Sequence, residues 1–336
     1  MDKLVLFNNN ILDELLNKRH GESKFGEHIQ ILTSISNIYD QLINLDVTHV
    51  IIGLPENVGG YANYRKTSTS KAWEVTLKNL LNIQSNEITK ANKILILGHL
   101  DFTKELLKVS KLDATKKKSI MKARKIVSKI DTYVTHIVQL IVSAGKKPII
   151  IGGGHNNAYG NIKGTSLALK KPINVINFDT HSDFEPEEGR HSGNGFSYAY
   201  AEGFLNNYFI FGLQRSYISD RLFISLKKIK YNMFEDLVLS KGLKYTEGLK
   251  RAANHVADKP FGVEIDCHAI DNISSSSITP RGFSANKTRS FVTYFGKQKN
   301  AYYLHICEAA VTKKTEIQVG ILITDLIVDF INAPFA

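Results

Sequence analysis

Three short clusters in this chain combine imidazole or carboxylate side chains, and each directly follows a run of apolar residues. They are Gly152-Gly153-Gly154-His155, Asp179-Thr180-His181-Ser182-Asp183 and Glu264-Ile265-Asp266-Cys267-His268. In extended backbone, side chains alternate faces, so Asp179, His181 and Asp183 point the same way. Acidic groups and an imidazole within ~7 Å, two strand steps, repel or remain desolvated without a cation. This pattern predicts a metal site, and the alternative is a salt-bridged strand end.

The third cluster follows the same alternation. Glu264, Asp266 and His268 are expected on one face, and the residues between and after them in the core. Nitrogen and oxygen donors without thiolates argue against a structural zinc site and suit manganese, iron or catalytic zinc. More than four candidate ligands indicates two ions that share and activate one water.

The three glycines before His155 predict a sharp turn that allows close backbone approach. A phosphate-binding loop is the competing interpretation of such a turn. The spacing GxGxxG is absent and no GK[ST] follows, so the pattern does not favour phosphate.

Apolar runs and helical stripes indicate the elements that must position these clusters. Strands are predicted at 48–54, 93–97, 148–151, 173–178, 208–211, 261–266 and 301–306. Helices are predicted over 120–144 and 316–331. A long loop is predicted over 56–71. Strand and helix alternation predicts an α/β fold with a doubly wound, mostly parallel sheet, whose sites lie beyond the carboxyl ends of its strands.

Length and composition set further limits. The chain has 336 residues, of which 43% are hydrophobic, and no linker-like tract, which favours one domain. Its two cysteines, Cys267 and Cys307, lie in predicted strands and indicate a reducing, cytoplasmic compartment. The polar N-terminus does not resemble a signal peptide, and no run of 18 apolar residues predicts a membrane span.

The formal net charge of +11 has two interpretations. A nucleic-acid binder is one, but the lysines are scattered and no basic stripe interleaved with aromatics occurs, so no nucleic-acid partner is expected. The other is a solvated, lysine-rich surface whose positive field attracts an anionic small-molecule substrate.

The clusters GGGH, DTHSD and EIDCHAID resemble, in order and placement, the three signature blocks of the arginase-type ureohydrolases. The resemblance spans about Thr48 to Ile331, and Gly189–Tyr198 is similar to the formimidoylglutamase branch. It implies a three-layer α/β/α arginase-like fold over a single domain, 1–336, with a peripheral N-terminal extension of about 45 residues. It also implies two Mn²⁺ ions, a homo-oligomer, and hydrolysis of an amidine or guanidine by a metal-bridging hydroxide, as when N-formimidoyl-glutamate yields glutamate and formamide in histidine degradation.

The resemblance assigns roles to individual positions. The implied metal ligands are His155, Asp179, Asp183 and Asp266 for one ion, and Asp179, His181, Asp266 and His268 for the other. The implied catalytic residues are Asp183, His191 as a proton shuttle, and Glu308 near the amidinium. Candidate substrate-binding residues are Arg190, Asn194, Arg215 and Glu308. For His191 and the two arginines, a loop or solvated surface role is the alternative.

The chain departs from the family pattern at several positions. His268 replaces the last metal-binding aspartate, so the second ion is expected to bind weakly or to be another divalent metal. Glu264 replaces a serine and Asn272 a proline, and Arg65 and Lys66 stand in a loop that is usually glycine-rich. These departures leave a weakened or inactive arginase-fold protein, with a binding or assembly role, as the alternative function.

Overall fold

One continuous sheet forms the centre of the molecule. The computed structural model describes residues 2–65, 68–229, 231–235, 244–275 and 282–332. In this part of the chain the strands are β1 (Leu4–Leu6), β2 (His49–Gly53), β3 (Ile94–Leu100), β4 (Lys147–Ile151), β5 (Ile173–Phe178), β6 (Leu205–Leu213), β7 (Tyr231–Glu235), β8 (Phe261–Asp266) and β9 (Ala301–Cys307). Their order is β1-β3-β2-β4-β9-β8-β5-β6-β7. The β1 strand pairs antiparallel with β3, and the other recorded pairs are parallel.

Helices cover both faces of the sheet. They are α1 (Asn9–Leu15), α2 (Ile38–Asn44), α3 (Val58–Ala62), α4 (Ala72–Leu80), α5 (Thr103–Ser110), α6 (Lys117–Ser143), α7 (Asn157–Leu169), α8 (Gly195–Ala201), α9 (Asp220–Leu226), α10 (Tyr245–Val256), α11 (Ala285–Gly296) and α12 (Glu316–Asn332). One apolar core packs α4, α10, α11 and α12 against the sheet, and a second packs α2, α6, α7 and α8 against the opposite face. Two cores separated by one sheet make the predicted three-layer α/β/α fold, which is confirmed.

The order of the strands decides where the polar clusters meet. Strands β4, β9, β8 and β5 are adjacent and parallel at the middle of the sheet. Their carboxyl ends therefore open at one edge, where an open α/β sheet places its ligand site. The carboxyl ends of these strands and the segments that follow them carry all three polar clusters and Glu308.

The seven predicted strands are all present, with ends that differ by a few residues or fewer. Strands β1 and β7 were not predicted; β1 has only three residues. The first 45 residues, expected as a peripheral extension, provide this edge strand and also bury Phe7 and Phe25 in a core. Among the described residues, no helix is both long and apolar enough to cross a bilayer.

The expectation of a long loop over 56–71 is wrong. This segment contains α3 and a 3-10 helix at Thr69–Lys71. The reason is the buried Glu56 carboxylate, which accepts the Val58 N–H at 2.7 Å and so satisfies a donor at the start of α3. Its other oxygen accepts the distant Gly154 N–H at 2.9 Å and anchors the segment. Lys66 lies outside the described residues.

Candidate metal centre

The turn after β4 delivers His155 into the sheet edge. Gly152 and Gly153 have φ of +89° and +76°, and a Cβ on Gly153 would lie 2.4 Å from the Asn157 amide nitrogen. The His155 side chain is buried, with 1% of its surface exposed. Neither of its ring nitrogens makes a hydrogen bond of acceptable geometry. Glycine is therefore required at this turn. The turn brings to the site a buried imidazole whose ring nitrogens make no hydrogen bond.

Three carboxylates surround the Nδ1 atom of His155. The distances are 2.8 Å to Asp183 Oδ2, 3.3 Å to Asp266 Oδ2 and 3.4 Å to Asp179 Oδ2. One potential ligand atom from each of these four residues lies within 4.8 Å of the others. The structure therefore brings together, from three separate strand ends, the four residues that the resemblance assigned to one ion.

The electrostatics of this group explain why a cation suits it. Burial raises the pKa of Asp183, and the neighbouring Asp179 raises it further. Burial acts to lower the pKa of His155, but nearby acidic groups, Cys307 and Asp179 among them, outweigh it and raise that pKa well above its usual range. Without a metal, the cluster must retain protons to offset its charge. A divalent cation would replace those protons and satisfy every facing lone pair.

The residues assigned to a second ion are arranged differently. His181 Nδ1 lies 3.5 Å from Asp179 Oδ1, and its ring stacks on Tyr217 at 5.1 Å between centroids. His268 Nδ1 lies 3.1 Å from Asp266 Oδ1. Neither histidine belongs to a group of three or more described ligand atoms within 4.8 Å of one another. The candidate ligand atoms for a second ion are therefore less closely grouped than those for the first ion.

His268 also brings positive charge to that position. Burial acts to lower the pKa of His268, but attraction to Asp266 outweighs burial and raises the pKa to about 9. The protonated ring therefore competes with a second cation for the Asp266 carboxylate at neutral pH.

Glu264 lies on the Nε2 side of the His155 ring, opposite the three aspartates. It does not supply charge to the candidate site of the second ion. Its Oε2 atom lies 3.6 Å from His155 Nε2 and 2.5 Å from His305 Nδ1, and Tyr303 donates its hydroxyl to Oε1 at 2.8 Å. Burial acts to raise the pKa of Glu264, but His305 and His155 outweigh it and lower the pKa to about 2. The predicted alternation along β8 is confirmed on its other face, because Ile265 and Cys267 lie in an apolar core.

Two further acids fix the backbone of the histidine turn. Glu308, with φ of +58°, accepts the His155 N–H through Oε1 at 2.9 Å. Glu56 accepts the Gly154 N–H at 2.9 Å and the Asn157 amide at 2.8 Å. Sequence reasoning missed Glu56, although an acid directly after a predicted parallel strand was the signal that could have found it.

Arg190 and Asn194 do not occupy the substrate-binding positions predicted for them. The buried Arg190 guanidinium bonds Asp131 Oδ2 at 2.9 Å, the Asn156 carbonyl at 2.7 Å and Asn194 Oδ1 at 2.5 Å. The Asn194 amide donates to two backbone carbonyls in its own loop. A buried guanidinium requires such partners, and these bonds occupy the groups that would have contacted substrate.

His191 is not placed as a shuttle that titrates near neutrality. Burial, followed by the charges of Arg124 and Arg190, lowers the pKa of His191 to about 3, so the ring stays neutral. Its Nδ1 accepts the Gly193 N–H at 3.2 Å. The ring therefore shapes its own loop.

Arg215 is also engaged within the protein. It bonds Asp220 Oδ1 at 2.5 Å, and its guanidinium carbon lies 4.3 Å from the centre of the Phe223 ring. Asn272 fits where the family has proline because its φ is +58°, a value that a proline ring cannot adopt. Neither residue contributes a contact to the metal centre.

A cavity of about 660 Å³ lies next to the segment that follows Asp183. Phe184 and Glu185, which follow Asp183 in the chain, line it, as does Tyr217, which stacks on His181. Its lining carries charges of both signs, from Arg221 and Lys228 and from Glu185 and Glu187. Its size lies within the range of small-molecule sites.

Known proteins resemble this chain in sequence and in fold. The sequence model of the arginase family matches residues 62–331. A formimidoylglutamase of Streptococcus gordonii is 34% identical over 134 residues, covering 37% of this chain and 41% of that protein. One from Streptococcus pyogenes serotype M3 is 36% identical over 110 residues, 30% of either chain. The matched regions therefore span less than half of these relatives.

Solved structures share the fold over nearly the whole chain. Formimidoylglutamase from Bacillus subtilis superposes with a TM-score of 0.71 at 18% identity, covering 95% of each chain. Trypanosoma cruzi formiminoglutamase with Mn²⁺ gives 0.70 at 18% identity, covering 93% of this chain and 99% of that one. Arginase from Bacillus subtilis gives 0.66 at 13% identity, covering 85% and 97%.

Proposed function

This chain belongs to the arginase family, and from that membership and its buried acidic centre we propose that it is a metal-dependent hydrolase of linear amidines, of the formimidoylglutamase type. One observation carries the proposal: His155, Asp179, Asp183 and Asp266 present ligand atoms within 4.8 Å of one another, and all but Asp183 are buried. Nitrogen and carboxylate oxygen donors in this ratio suit a catalytic divalent cation. The relatives named above as formimidoylglutamases indicate the reaction class.

The residues present fit the implied ion. His155 has buried ring nitrogens without hydrogen bonds, and three carboxylates face one of them. These four side chains would hold a first ion. Asp179 and Asp266, together with His181 and His268, would hold a second ion with lower affinity. When bound, such a cation supplies Lewis acidity, which lowers the pKa of water and polarises a C=N group. Manganese is the first ion to test, because the Trypanosoma cruzi structure contains it.

The chain's own groups would orient substrate and move protons. Asp183 has a raised pKa and a φ of +41°, which turns its carboxyl toward the centre. We assign it to take the proton of the attacking water and pass it to the leaving nitrogen. Glu308 is buried beside His155, and its negative charge favours a cationic amidinium over neutral competitors.

The cavity next to the segment that follows Asp183 has charges of both signs in its lining. Arg221 and Lys228 place two cations in its lining, together with the carboxylates of Glu185 and Glu187. Guanidinium and ammonium groups bind carboxylates by charge-assisted hydrogen bonds. An amidine that carries carboxylates, such as N-formimidoyl-glutamate, matches this combination. Cytoplasmic location, a role in histidine degradation and homo-oligomerisation remain predictions.

The test is product formation by metal-loaded and metal-free protein. We expect formamide from N-formimidoyl-glutamate, and less urea from arginine or agmatine, only when a divalent ion is present. Asp183→Asn should abolish formamide release, while Asp46→Asn, at a site that is 90% exposed and outside the cavity lining, serves as the matched control and should retain it. Metal-loaded protein that hydrolyses none of the three substrates would overturn the proposal and support the inactive alternative.

A further inference from the structure

Cys307, the last residue of β9, lies at the metal centre. It stands opposite Asp266 in the parallel β8–β9 ladder. Its Sγ atom is within 4.8 Å of a ring nitrogen of His155 and a carboxylate oxygen of Asp266, and those atoms lie equally close to each other. The Cys307 side chain is fully buried. A soft sulfur donor therefore adjoins a site for which the sequence predicted only nitrogen and oxygen ligands.

The other cysteine of the chain provides an internal contrast. Cys267 follows Asp266 directly and lies in the 3-10 turn Cys267–Ala269. There it packs in an apolar core with residues such as Ile265, whereas Cys307 belongs to neither apolar core. Two buried cysteines therefore have distinct surroundings, one apolar and one made of metal-ligand groups.

His155 gives a second, independent indication of a ligand at this position. Its ring is 1% exposed, and neither nitrogen makes a hydrogen bond. It belongs both to the group with Cys307 and to the group with Asp179 and Asp183. The two groups share His155 and Asp266, so an ion beside Cys307 would use these two residues as its other ligands.

We propose that Cys307 supplies a thiolate ligand to the ion held by His155 and Asp266, and that this sulfur shifts the site toward zinc, cobalt or iron and away from manganese. Thiolates select softer ions than carboxylates do. On binding, the metal–sulfur bond forms as the S–H bond breaks, and the proton leaves to solvent without any change of oxidation state. Without an ion, the thiol donates to the Ile265 carbonyl at 3.5 Å.

This inference rests on the proposed metal centre but not on its hydrolytic activity, so the test reads coordination directly. The full-length protein is loaded with Co²⁺ or Zn²⁺, and X-ray absorption is recorded at the metal edge. We expect a sulfur neighbour at about 2.3 Å and, for cobalt, a thiolate charge-transfer band in the near ultraviolet. Both should persist in Cys267→Ser and disappear in Cys307→Ser.

Competition between zinc and manganese tests the consequence. With both ions supplied, Cys307→Ser should shift the bound ratio toward manganese by roughly tenfold or more, while Cys267→Ser should bind as the unaltered protein does. Bound metal without a sulfur neighbour overturns the inference and leaves the proposed function intact. Absence of any bound metal overturns both. If Cys307→Ser does not fold, the absorption spectrum of the unaltered protein still decides the question.

Discussion

Replacing His268 by aspartate should restore the second cation position. In the structure, the His268 ring is 2% exposed and its Nδ1 lies 3.1 Å from Asp266 Oδ1. Burial opposes protonation of this ring, but Asp266 outweighs burial and raises its pKa to about 9. A second cation that uses both residues must therefore displace a proton at neutral pH.

The cost of that displacement follows from the pKa. The roughly two units between about 9 and pH 7 correspond to about 3 kcal/mol, or roughly a hundredfold in affinity for the second ion. Because His268 is protonated below its folded pKa, affinity in the unaltered protein should rise as pH increases toward 9, by about tenfold per unit. His268→Asp removes the competing proton and adds a carboxylate, so it should bind the second Mn²⁺ at least a hundredfold more tightly at pH 7, with a weaker dependence on pH.

The assay is a Mn²⁺ titration of metal-free protein at several pH values between 7 and 9, followed by calorimetry or by the resonance signal of free manganese. His268→Asn is the matched control, because it removes the imidazolium without supplying a charged ligand, and its affinity should fall below that of His268→Asp. Equal second-ion affinity in the unaltered protein and His268→Asp, or a flat pH profile of the unaltered protein, would refute the reasoning.

Two further predictions concern the supports of the site. Glu56→Ala removes a buried acceptor of the Gly154 N–H and should lower the free energy of unfolding by about 3 kcal/mol. Urea denaturation measures this loss. An unchanged midpoint would show that the turn does not depend on the Glu56 carboxylate. Arg190→Lys loses the planar contact with buried Asp131 and should cost about 3 kcal/mol, whereas Arg215→Lys, at a half-exposed pair, should cost less than about 1 kcal/mol. If Arg190→Lys instead left stability unchanged and raised KM, the original substrate-clamp prediction would be supported.

The sequence by itself determined the strands around the centre and the identity of the clusters that follow them. Apolar runs predict buried parallel strands because backbone periodicity and side-chain burial are local properties. Alternation along β8 likewise placed Ile265 and Cys267 in the core. Because parallel strands open at one edge, the sequence also predicted that His155 and Asp183 lie at the same edge of the sheet.

Only the tertiary structure decided which side chains these groups contact. Arg190 bonds Asp131, which lies 59 positions away on α6, and this partner follows from how the helix packs and not from any local pattern. Glu264 lies on the same face of β8 as the ligand Asp266. It nevertheless bonds His305 on the neighbouring strand and contacts His155 through Nε2, the ring nitrogen away from the three aspartates. Cys307 adjoins Asp266 because β9 lies beside β8 in the strand order. Local sequence sets the face on which a side chain lies, whereas the partner of a buried polar group depends on which distant element the fold packs against it.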